Sequence, residues 1–175
     1  MPILTFERQE IDLPRNIALL DTNVLVAYMD DRDNYHEQAV LVVDELPDYI
    51  WVVTLPVIVE ACGLLGRRRD HLVVIQLLQW LLSPGNVWIL PSSHPSLSPE
   101  QSLWLHSDWM RRHVVDYVDS YLMEIADAIT KRLELRPHLP IVTFDTSDFL
   151  RCAGSGRRYS LYDMRDLQFV DFELN

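Results

Sequence analysis

Lysine is nearly missing from this chain. Of its 175 residues only Lys131 is a lysine, and every other basic position is arginine, for 15 bases against 26 acids. The net charge of −11 excludes a protein that grips nucleic acid through a broad basic surface. It leaves room for local contact led by arginine, whose planar fork suits phosphate and carboxylate oxygens. Glycine is scarce, at 5, while 49% of residues are hydrophobic, which excludes disorder and fibrous repeats. The two cysteines, Cys62 and Cys152, match no metal or redox spacing and read as reduced thiols of a cytoplasmic protein. Long apolar runs are lacking too. The longest charge-free stretch, His71 to Pro99, breaks at Pro84-Gly85-Asn86 after about three helical turns, too short to span a bilayer. Charges in the first fifteen residues fall where a secretory signal needs an apolar core. No membrane association is expected.

What is present is alternation. Ile17 to Leu20 is a short apolar run ending at Asp21-Thr22-Asn23, as a buried strand does when it delivers polar residues to a helix start. Trp51 to Thr54, Val87 to Leu90 and Ile141 to Phe144 read as three further strands, and Leu167 to Phe172 as an edge strand. Helical spacing marks His36 to Leu46, Pro56 to about Leu65, and Leu72 to Leu82. Ser98-Pro99-Glu100-Gln101 has the form of a capping box, opening a helix expected to reach about Asp116 and followed by another over about Asp119 to Leu135. Strands alternating with helices give one α/β domain. Its expected form is a three-layer α/β/α sandwich with a mainly parallel central sheet, a core over about 17–150, an N-terminal extension 1–16 and a C-terminal segment 151–175.

Acids stand out within this pattern. Asp21 and Asp145 each directly follow a predicted strand, and one sheet edge would gather both where ligands bind. Either alone could be only a helix cap or an Asx turn. Glu60 is the only charge between Pro56 and Leu65, an expensive setting without a partner or metal. Asp127, between Ala126 and Ala128, is a fourth candidate; an i,i+4 pair with Lys131 is its alternative. Carboxylates gathered at one site need countercharge, and hard divalent cations such as Mg²⁺ or Mn²⁺ supply it through oxygen ligands. Such sites suit phosphodiester hydrolysis.

The order Leu-Leu-Asp21-Thr22-Asn23-Val24-Leu25, then Glu60 in an apolar helix, Ala126-Asp127-Ala128-Ile129, and Thr143-Phe144-Asp145-Thr146-Ser147-Asp148-Phe149 resembles the PIN domain over about residues 17–150. That metal-dependent nuclease family includes the VapC-type toxin ribonucleases. The resemblance implies that Asp21, Glu60, Asp127 and Asp145 form an acidic quartet that binds Mg²⁺ or Mn²⁺ and carries catalysis. Thr22, Asn23 and Thr143 would be supporting polar residues, and Asp148 an outer acid or a cap of the next helix. It further implies an endoribonuclease acting on RNA, with an antitoxin protein as partner and a homodimer as its assembly. The alternative is a catalytically silent PIN-like module used for protein binding or dimerisation. The long segment from Pro91 to Pro99 and the residues before the first strand depart from a compact family member.

Other constellations are weaker. A strand followed by Asp21-Thr22-Asn23 also resembles haloacid-dehalogenase-type phosphatases, but Asn23 stands where their second carboxylate is required. Gly154-Ser155-Gly156 lacks the lysine of a phosphate-binding loop and reads as a turn. His106 and His113 are expected on the surface, and Trp104 and Trp109 in core or dimer packing. Arg67, Arg68, Arg69, Arg111 and Arg112 are the candidates for RNA contact, with solvated helix faces as the alternative.

Overall fold

The structure is a computed structural model that describes residues 3–6, 9–12, 16–45, 49–83, 85, 87–90, 98–135 and 138–170. Most of the segment between Pro91 and Pro99 lies outside these residues. Within the N-terminal extension, β1 (Ile3–Phe6) and β2 (Gln9–Asp12) pair as an antiparallel hairpin.

The central sheet has six strands. They are β3 (Ile17–Leu20), β4 (Ile50–Thr54), β5 (Val87–Leu90), β6 (Pro140–Thr143), β7 (Ser160–Asp163) and β8 (Gln168–Val170), in the spatial order β5-β4-β3-β6-β7-β8. All neighbours are parallel except β7 and β8. β3 and β6 are buried throughout, as strands covered on both faces must be, which is why they read as unbroken apolar runs. β7 does not read that way. Ser160 and Asp163 close its two ends, and burial is met there by hydrogen bonds: Ser160 Oγ donates to the His138 carbonyl at 2.8 Å.

Helices flank the sheet. α1 (Thr22–Met29) packs on α2 (His36–Glu45) and α3 (Leu55–Arg68), and α3 on α4 (His71–Leu82). α5 (Pro99–His113) packs on α6 (Tyr117–Leu133), which also meets β6 and α3, and α7 (Ser147–Arg151) is a short helix against α6. The capping box forms as the residues predict, with Gln101 N donating to Ser98 Oγ at 3.2 Å and Ser98 N to Gln101 Oε1 at 2.8 Å. α5 stops short of the expected Asp116, because Val114 turns left-handed at φ 55°. Asp116 is free to cap α6, which therefore begins at Tyr117 and not at Asp119. α6 buries Val118, Leu122, Ile125 and Ile129 along one stripe, at i, i+4, i+7 and i+11.

Chain order sets where a ligand can sit. From β3 the chain moves outward to β4 and β5, then returns to β6 on the other side of β3. β3 and β6 therefore flank a topological switch point, and the crevice beyond their carboxyl ends is the binding position of such sheets.

Candidate active site

Asp21 leaves β3 at that crevice and caps α1, its Oδ1 accepting from Thr22 N at 2.6 Å. Its other oxygen accepts from Thr143 Oγ1 at 2.7 Å and Asn23 Nδ2 at 2.8 Å. Asn23 also donates to Thr143 Oγ1 at 2.9 Å and accepts from Phe144 N at 3.0 Å, so one amide ties the end of β3 to the end of β6. Thr22 Oγ1 donates to Glu60 Oε2 at 2.7 Å, linking α1 to α3. Past β6, Asp145 Oδ1 accepts from Ser147 N at 3.0 Å and Ser147 Oγ at 2.6 Å. Each of these polar neighbours is a small side chain adjoining a strand end, which makes the scaffold short and stiff.

These groups line a cavity of about 800 Å³. Asp21, Glu60, Asp116, Asp119, Asp145 and Asp148 share its wall with Asp30 and Asp33, and the cations facing it are Arg32, Arg68 and Arg165. Electrostatics differ from one carboxyl to the next. Burial pushes Asp21 up to about 7, against the lowering pull of its bonds from Thr143 and Thr22, with repulsion from Asp116 and Glu60 adding to the rise. Asp119 is raised for the same first reason, then by the charges of Asp21, Asp116 and Asp148 and by a hydrogen bond shared with the Asp148 carboxyl. The Ser147 bonds hold Asp145 below the usual carboxylate range. Asp21 and Asp119 thus sit desolvated and repelled by neighbouring carboxylates in the cavity wall.

A family model for the PIN domain matches residues 18–155. The chain belongs to the PIN-domain family. Solved structures agree in fold. VapC20 of Mycobacterium tuberculosis, a sarcin–ricin loop cleaving toxin, is similar at a TM-score of 0.57 and 18% identity, over 81% of this chain and 96% of that one. VapBC2 of Rickettsia felis, bound to a DNA fragment from its promoter, is similar at a TM-score of 0.54 and 13% identity, over 84% and 99%. A comparison with curated proteins finds no match.

In this PIN domain Asp21, Glu60 and Asp145 come together at the switch point, while Asp127 does not join them. Asp127 is buried beneath the surface of α6, ion-paired with Lys131 at 2.6 Å and accepting from Arg158 N at 2.9 Å. The reason is directional. α6 precedes β6, so its N-terminus lies at the carboxyl edge of the sheet and its later turns run away from it. Asp127 is eight residues past Asp119, about 12 Å along the axis. Asp116 and Asp119, in the cap and first turn of α6, occupy the place expected of Asp127. Asp148 faces the cavity from the first turn of α7 and pairs with Arg151 at 2.9 Å; α7 is capped instead at Thr146.

Among the arginines read from sequence, only Arg68 lines the cavity, paired with Asp33 at 3.2 Å. Arg69 is taken up by Asp30 and Asp31, and Arg111 and Arg112 by Asp108 on α5. Arg165 was missed. It stands beyond β7, held by Asp163 through Nε–Oδ1 at 3.2 Å and Nη2–Oδ2 at 3.0 Å, and by Thr146 Oγ1 at 3.0 Å. His106 is buried between α5 and α6, bonded to Ser120 Oγ at 2.9 Å, which corrects its placement on the surface. Trp104 is largely exposed, and Trp109 lies under the Arg157 guanidinium at 3.6 Å. Cys62 and Cys152 are free thiols. Among the described residues no helix is long and apolar enough to cross a membrane.

The fit to a metal can be judged from the donors. Among the described residues no three His, Cys, Asp or Glu side chains are yet drawn close enough to hold an ion as they stand. Their chemistry nevertheless suits one: the cavity wall offers carboxylate oxygens, and Asp21 and Asp119, raised first by burial and then by neighbouring carboxylates, are groups whose ionised form a hard divalent cation would stabilise.

Proposed function

We propose that this PIN domain is a divalent-metal-dependent endoribonuclease, a hydrolase of RNA phosphodiester bonds, and that it is the toxin of a toxin–antitoxin pair. The observation that carries the reading is the gathering of carboxylates around one cavity at the switch point of the sheet, with Asp21 and Asp119 desolvated and repelled by their neighbours. Asp21, Glu60, Asp119 and Asp145 would hold Mg²⁺ or Mn²⁺, with Asp116 and Asp148 beside them. Bound there, the ion supplies charge stabilisation at phosphate oxygens and a water of lowered pKa.

The rest is the work of the chain. Asn23 and Thr143 fix the Asp21 carboxyl so that its orientation survives ionisation, and Thr22 does the same for Glu60. Ser147 keeps Asp145 ionised over the neutral range. Arg165 and Arg68, held by Asp163 and Asp33, face the cavity as the groups that orient a phosphodiester backbone. A net charge of −11 makes that contact local and salt-sensitive.

The toxin reading draws on the likeness to a toxin of Mycobacterium tuberculosis. It brings with it an antitoxin partner, a homodimer and a cytoplasmic setting. α4 offers an apolar surface for protein contact, with Leu72, Ile75, Leu78 and Leu82 exposed along one stripe. The test is cleavage of a labelled RNA with Mg²⁺ or Mn²⁺. Chelation and the Asp21→Asn/Asp145→Asn double variant should each abolish cleavage while circular dichroism stays unchanged. Full activity in the double variant overturns the reading.

A further inference from the structure

The cavity wall is not acidic throughout, for it also carries an aromatic pair. Tyr35 lies on Phe144 with ring centroids 4.5 Å apart and planes 19° from parallel. Phe144 is buried, whereas Tyr35 is 38% exposed, and both line the cavity. The stack is tied to the acids, since Phe144 N donates to the same Asn23 that holds Asp21, and Phe144 immediately precedes Asp145. Tyr35 is itself fixed, its N–H donating to Asp33 Oδ1 at 3.0 Å and its carbonyl accepting from Ala39 N at 2.9 Å. Arg165 lines the same cavity, its guanidinium held by Asp163 and Thr146. Of the three, Arg165 lies outside the segment 18–155 that the family model matches, while Tyr35 and Phe144 lie within it.

An aromatic face presented beside a phosphate-cleaving centre, with a guanidinium at its edge, has the composition of a single-stranded base platform. A neutral base also escapes the repulsion that the surrounding carboxylates exert on phosphates. We propose that Tyr35, backed by Phe144 and edged by Arg165, is a nucleobase subsite that stacks an unpaired base next to the scissile phosphate. This rests on the endoribonuclease reading and adds a specificity-determining residue to it.

The test compares two probes by fluorescence anisotropy with calcium present: labelled hexaadenylate, and a labelled hexamer of the same backbone without bases. The wild type should bind hexaadenylate about tenfold more tightly, within the range that stacking a base on an aromatic ring provides. Tyr35→Ala should erase that preference while leaving affinity for the abasic chain unchanged; Tyr35→Phe, which keeps the ring, should retain it. In RNA cleavage Tyr35→Ala should raise KM and spare kcat. Tyr35→Leu, which keeps apolar bulk without a π face, should behave like the alanine variant and guards against a mere folding defect. A preference that survives in Tyr35→Ala overturns the subsite, as does a wild type that cleaves RNA yet binds both probes equally; in both cases the nuclease reading stands. A wild type that binds neither probe and cleaves no RNA overturns both.

Discussion

Replacing Asp21 with Asn should stabilise the metal-free protein, and more so as the pH rises. Asp21 is only 5% exposed, and burial raises its carboxyl from 3.8 to about 7. Folding therefore favours the protonated form. That advantage is complete below pH 3.8, shrinks as the pH rises, and is gone above about 7. At 1.36 kcal/mol per unit, ionising Asp21 inside the fold costs on the order of 4 kcal/mol at pH 8. Asparagine avoids that cost. Its Oδ1 still accepts from Thr22 N, but its amide faces Thr143 Oγ1, which already accepts from Asn23 Nδ2 and Asp145 N; that hydroxyl turns its hydrogen to the Asp145 carbonyl 3.2 Å away, and its bond to residue 21 is lost at about 1 kcal/mol. Asn23 Nδ2 loses one acceptor, at about 1 kcal/mol.

The net expectation is a gain of about 2 kcal/mol at pH 8 and about zero at pH 5.5. The widening of about 2 kcal/mol between those values does not depend on the hydrogen-bond estimate, and corresponds to roughly 4–8 °C in Tm. Thermal unfolding in EDTA at both pH values measures it. Millimolar Mn²⁺ should then raise the Tm of the wild type and leave Asp21→Asn unmoved, since only a protein that binds the ion is stabilised by it. An Asp21→Asn variant destabilised by the same amount at both pH values would refute the argument.

Asp119→Asn should abolish Mn²⁺ stabilisation and RNA cleavage, whereas Asp127→Asn should keep both and lose about 1 kcal/mol from its bonds to Lys131 and Arg158 N, read by urea unfolding. Val114→Gly should raise stability by about 1 kcal/mol, because a β-branched residue at φ 55° is strained and this one is 76% exposed, with little packing to lose. Arg157→Ala should cost about 2 kcal/mol, since it removes the ion pair to Glu124 Oε2 at 2.7 Å, the bond to the Ser120 carbonyl at 3.1 Å and the cation over Trp109; no change in urea unfolding would count against those contacts.

The chain sequence carries the fold well where burial and periodicity coincide. β3, β4 and β6 are apolar runs because both their faces are covered, and Asp21 and Asp145 are legible because a charge directly after such a run has only the sheet edge to occupy. Glu60 was visible as the single charge between Pro56 and Leu65. Asp119 was not, for a reason that lies one turn upstream. The end of α5 depends on Val114 entering the left-handed region, and a β-branched residue gives no sign that it will do so. With that turn unread, α6 seems to start at Asp119, and an acid flanked by alanines looks more like a site than an acid at a helix start. Arg165 was hidden because Ser160 and Asp163 interrupt the pattern of β7, so the residue after it was not seen to stand at a strand end. Both misses are residues placed by tertiary geometry, with their local sequence silent about it.

The central claim is that carboxylates from β3, α3, α6 and the end of β6 form one metal site. Anomalous diffraction at the manganese edge, from crystals soaked in Mn²⁺, tests it most directly. The account predicts a peak among Asp21, Glu60, Asp119 and Asp145, lost in crystals of Asp21→Asn. A cavity without manganese in a saturated soak, or a peak beside Asp127 instead, would contradict it.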